Sequence, residues 1–187
     1  MKLHSILNSY LGLVALALVL ATNSSVSFGQ TADSERISNL LAQAKSNATQ
    51  ADADAETLAS FTRSKVSWVS HATQLEGIKG HINELGKLNK QLSDLRAEGS
   101  PWQQTAIDQV DVRLREMADL LTITINHLND NPSKIHLQPY RDYAKANYEL
   151  TSKLAKMISD FVDYDEAKSK AESLELKLEL PGAESGT

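Results

Sequence analysis

The chain has 187 residues, a formal charge of −5, no cysteine and 5% aromatic residues. That length suits one domain with a real core, and Lys and Arg interleaved with Asp and Glu argue against a nucleic-acid partner, which calls for a basic face or stripe. Without cysteine there is no disulfide scaffold, thiolate metal site, covalently held haem or thioester-linked lipid; with few aromatic, Gly and Pro residues, helices are favoured over a β-sandwich.

The first thirty residues, MKLHSILNSYLGLVALALVLATNSSVSFGQ, carry Lys2 as their only charge, then the apolar run Leu11–Ala21, then a polar stretch. This is the three-part layout of a secretory signal peptide. Small residues at Ser27 and Gly29 place the expected cut before Gln30, so 1–29 reads as a cleaved signal; cleavage after Ser27 is the next choice. The apolar run falls well short of the ~20 residues that span a bilayer. The expected mature protein has no membrane span and is extracytoplasmic, either periplasmic or secreted.

Residues 30–180 then read as a single unit of four helices, about 33–62, 66–97, 101–128 and 139–175. In the first, Ile37, Leu41, Ala44, Ala48, Ala51, Ala55 and Leu58 alternate by four and three. This Ala-rich stripe lets neighbours approach closely, and Asp33 or Ser34 is placed to cap its start. The second carries Trp68, His71, Leu75, Ile78, Ile82, Leu85, Asn89 and Leu92, a heptad seam with one histidine and one asparagine among apolar residues. Asn89 is the kind of residue that sets register there.

GSPWQQ marks the next boundary: Gly99 suits a helix C-terminus, Ser100 an N-cap, Pro101 the first helical position and Gln103 the capping-box position. The third seam is Ile107, Val110, Leu114, Met117, Leu121, Thr124 and Leu128. NDNPSKIHLQP is the longest break, and Pro139 starts the fourth helix, with Tyr140, Tyr143, Asn147, Leu150, Leu154, Met157, Phe161 and Tyr164 as its seam. The end, SLELKLELPGAESGT, alternates Leu with charge as a strand would, but Leu, Glu and Lys favour helix. It is therefore read as the fourth helix fraying before Pro181, with 181–187 as a disordered tail. Helices of similar length joined by short links predict an all-α, antiparallel up-down-up-down four-helix bundle.

The candidate chemistry lies in the histidines. His71 and His81 are roughly 15 Å apart along a helix and roughly 80° apart around it, so one metal ion cannot bind both. If the second and third helices reverse at Gly99–Ser100, His71 instead lies level with Leu128, beside His127, and His136 follows in the next link. A metal- or cofactor-binding pole built from His71, His127 and His136, with Asp130 as an oxygen donor, is thus the alternative reading. Against it, a histidine in a last helical turn is favoured by the dipole alone, and a buried one needs only a hydrogen-bonding partner. The Glu-x-x-His pairs of di-iron bundles are missing, as are zinc-protease, nucleophile-elbow, phosphate-loop and EF-hand patterns. No catalytic, cofactor-binding or metal-ligating residue is assigned, and the chain reads as a non-enzyme.

Ser70, Thr73, Gly77 and Gly80 follow a 3-4-3 spacing on the second helix, away from its seam. Exposed helical glycines cost about 1 kcal/mol each relative to alanine, and small residues at this spacing permit close helix approach. The expectation is a contact face for a protein partner or a second copy. A signal-like leader followed by four long cysteine-free helices resembles, in arrangement over the whole chain, uncharacterised exported helical proteins of bacteria. That resemblance implies an envelope or secreted location and assigns neither activity nor site. The functional expectation is an exported bundle of the bacterial cell envelope acting by protein contacts, in a binding or structural role.

Overall fold

A computed structural model of the protein describes residues 28–178, with side chains from Ala32 onward. Residues 1–27, which hold all but the end of the expected 1–29 signal, lie outside the described residues, as do the last leucine of the alternating run and the tail from Pro181. Among the described residues there are four helices and no strand: α1 Phe28–Phe61, α2 Trp68–Asp94, α3 Pro101–Asp130 and α4 Gln138–Leu178. None of them is long and apolar enough to cross a membrane.

The local chemistry at the helix ends explains the boundaries. Ser67 caps α2, its Oγ accepting from the Ser70 amide at 3.2 Å. α2 stops at Asp94, and a short 3-10 turn over Arg96–Glu98 tightens its exit. Gly99 is extended there, at φ −75° and ψ 150°, so it does not act as a left-handed helix cap. Its value is space: a Cβ would lie 3.1 Å from Ile37 Cδ1 and 3.2 Å from Gln103 Cβ. Pro101 opens α3, where its missing N–H costs nothing. Asn131 ends α3, its side-chain amide donating to the His127 carbonyl at 3.2 Å.

α1 packs against α2 and α4, and α3 packs against the same two. Every seam residue expected on α1 and on α3 is buried, and so is every one on α2 from His71 to Leu92. α4 differs. Its buried line is Tyr140, Ala144, Asn147, Thr151, Leu154, Ala155, Ile158 and Val162. Tyr143, Leu150, Met157 and Phe161 flank that line half-buried, and Tyr164 is exposed. The large residues mark the rim of a wide apolar arc, and the small ones its centre. Two Ala-bearing faces, on α1 and α4, can then approach closely.

Polar ties connect each neighbouring pair. Lys45 of α1 meets Asp163 of α4 at 2.7 Å. Asn89 of α2 donates to Asp111 of α3 at 2.9 Å, and Trp68 Nε1 donates to the Leu128 carbonyl at 3.1 Å. Asn147 of α4 donates to Thr124 Oγ1 of α3 at 2.6 Å. Across the diagonal, buried Gln103 of α3 donates to the Ser34 carbonyl of α1 at 2.8 Å and to Ser38 Oγ at 3.2 Å. Residue numbers fall along one helix as they rise along its neighbour in the α2–α3 ties. Where α1 and α3 meet, the first turns of both lie together.

Candidate functional site

His71 sits on the first turns of α2, facing inward and essentially inaccessible to solvent. Its Nδ1 lies 3.1 Å from the Tyr140 hydroxyl of α4. Its ring meets Phe61 of α1 edge-on at 5.5 Å and Tyr140 edge-on at 5.2 Å. Burial pushes the imidazole pKa down and the Tyr140 phenol up, because a charge on either would lack solvation. The two rings therefore form a neutral pair joined by one hydrogen bond.

His127, in the last turn of α3, stacks on Tyr140 at 6.2 Å between centroids and tilts against Tyr143 at 5.1 Å. The structure thus brings His71 and His127 to the same tyrosine from two different helices. It does not bring in His136, which is exposed in the link before α4. Among the described residues, no group of three or more His, Asp or Glu is placed to hold a metal ion. The pole is an aromatic cluster with two histidines as members.

His81 reaches from α2 to α1. Its Nε2 lies 3.4 Å from Asp54 Oδ2 of α1, and Gln74 donates to Asp54 Oδ1 at 2.8 Å and to the Asp54 carbonyl at 3.1 Å. Gly77 makes this arrangement possible. A Cβ there would lie 2.8 Å from Asp54 Oδ2. Gln74, Gly77 and His81, spaced by three and four, form one cradle on α2 for a single α1 carboxylate. The pairing could not be found from α2 alone, because its partner lies more than twenty residues earlier.

This divides the small-residue stripe. Gly77 is half-buried and turned to α1, whereas Thr73 and Gly80 are exposed, and nothing lies within 4 Å of a Cβ built on Gly80. Ser70 is engaged locally, its Oγ 3.0 Å from Ser67 Oγ.

Two further polar groups lie in or at the edge of the core. Asn147 is fully buried, donating to Thr124 and to the Tyr143 carbonyl at 2.8 Å, while its Oδ1 is buried without a partner. On α1, Asp52 has a buried, unpartnered Oδ1. Burial, and then Glu56 nearby, raise its pKa, partly offset by the Thr151 hydroxyl of α4. No family model, curated protein or solved structure matches the chain.

Proposed function

We propose that this is an exported helical-bundle protein of the bacterial cell envelope, its helices running alternately up and down, which works through protein contacts and carries out no catalysis. The opposed residue order of the α2–α3 ties supports the up-and-down arrangement. The three-part leader supports export. The contact reading rests chiefly on where the reactive side chains are used. His71, His127, His81 and Asp54 are engaged with one another or with aromatic rings inside the helix packing, and the outward line of α2 through Thr73 and Gly80 is smooth.

The contact face is accordingly the Thr73–Gly80 end of the stripe together with Ser70, with Gly77 holding α2 against α1 beneath it. Sizing the purified protein and its Gly80→Gln variant tests this face, because a Gln side chain there fills open space without touching the fold. Loss of self-association or of partner capture in the variant supports it. Unchanged association in both proteins removes this face from the proposal.

A further inference from the structure

α4 has 41 residues against 27 in α2, and its last turns extend past the final buried position, Val162. Beyond Tyr164, whose ring meets Trp102 of α3 edge-on, Ala167, Ala171, Leu174 and Leu178 recur at spacings of four and three, and all are exposed. At roughly 100° per residue they stay within about 80° of one another. Ala171 follows Val162 by nine residues, which is about half a turn around the helix, so this apolar line points away from the protein's own core. Leu174 is 47% and Leu178 64% exposed. Leu176 lies on another side of the helix and does not belong to the line.

We infer that the C-terminal turns of α4 form a parallel two-stranded contact with the same turns of a second copy of this chain. This deepens the contact reading above but uses a face separate from that of α2. The occupant is identified by charge. With Ala171 and Leu178 as one heptad position and Ala167 and Leu174 as the other, Lys170 and Glu175 flank the apolar line. In a parallel pair, each faces the other's counterpart on the partner helix. Two-fold symmetry repeats the attraction, giving two Lys170–Glu175 pairs across the contact. Lys168 is already tied to Glu172 within the helix at 2.9 Å.

An antiparallel pair would set Lys170 against Lys177 instead, and its one favourable pair, Lys168 with Glu175, would compete with the Lys168–Glu172 tie within the helix, so the charges select the parallel arrangement. The two alanines let the helices approach, and the leucines beyond them close the contact. Two heptads bury an area at the low end of protein interfaces, below about 1,200 Å², so the dimer is weak and concentration-dependent.

Sedimentation equilibrium of the purified protein up to about 1 mM tests the inference, that concentration covering weak association. With the α2 face silenced by Gly80→Gln, a monomer–dimer equilibrium is still expected, and adding Leu174→Glu/Leu178→Glu should abolish it. Lys170→Glu should weaken the dimer about tenfold, because two attractions become two repulsions, and Lys170→Glu/Glu175→Lys should restore it. These side chains are exposed or, at Glu175, half-exposed, so far-ultraviolet circular dichroism should show the same helicity in every variant. A strict monomer overturns the inference, and so does a dimer indifferent to the leucine substitutions. A dimer strengthened by Lys170→Glu would establish the antiparallel arrangement and overturn it equally.

Discussion

Gly77 and Gly80 are one turn apart on α2, and replacing each with alanine should have a different effect on stability. In an ordinary helix interior, either change is worth about 1 kcal/mol of stability through propensity. At Gly80 nothing lies within 4 Å of the new Cβ, so Gly80→Ala should realise that gain. At Gly77 the new carbon would stand 2.8 Å from Asp54 Oδ2, and the carboxylate must move. Its hydrogen bond from Gln74, at 2.8 Å, is half-exposed and worth about 1 kcal/mol. Gain and loss then cancel, leaving Gly77→Ala near wild type and about 1 kcal/mol below Gly80→Ala. Urea titration at a common slope reads the difference directly. The mechanism also predicts coupling: in an Asp54→Ala background, Gly77→Ala should recover the full gain, since no carboxylate remains to displace. If Gly77→Ala stabilises the otherwise unaltered protein as much as Gly80→Ala does, the cradle account is wrong.

Three further outcomes follow from the buried polar groups. The folded pKa of His71 lies below its ordinary value of 6.5, so its contribution to stability is fully present above that value and is lost as pH falls through the folded one. Urea midpoints should therefore drop between pH 7 and about pH 5, and His71→Phe should flatten that drop. An unchanged slope in the variant would remove His71 as its source. Asp52 has the opposite sign: its folded pKa is raised above 3.8, so its burden is absent below that value and grows as pH rises through the folded one. Asp52→Asn should stabilise the protein at neutral pH and not in acid, as thermal melts at the two pH values would show. Gln103→Leu removes the tie to Ser34 and Ser38 and the bond its Oε1 accepts from the Ser100 amide at 2.9 Å. A loss of about 2–3 kcal/mol is expected from unpaired buried groups, and a loss below 0.5 kcal/mol by urea titration would show that the hub is dispensable.

The helices and their buried faces were largely legible in the chain, because a 3.6-residue period and end signals are local properties. Pro101 and Gln103 act where their positions imply. The α4 seam was misread at its rim for a related reason: periodicity finds the apolar arc, but which line within it is central depends on what packs against it. Opposite α1, with its buried Ala44, Ala48, Ala51 and Ala55, the centre of α4 holds Ala144, Thr151 and Ala155. The pairing of His71 with the neighbourhood of His127 was also within reach, because a short link of known position sets the level at which two helices meet.

Composition and pattern were sufficient for the helical class, the four segments and the level at which His71 meets α3. They could not assign Gly77 to Asp54, separate Gly77 from Gly80, exclude His136 from the pole or give Gly99 its spacing role. Those outcomes depend on distances between residues far apart in sequence, which the rotation and approach of whole helices set together. A glycine has no side chain to announce its partner. Only the packed structure shows that one glycine of α2 clears room for a carboxylate and that the next faces open space.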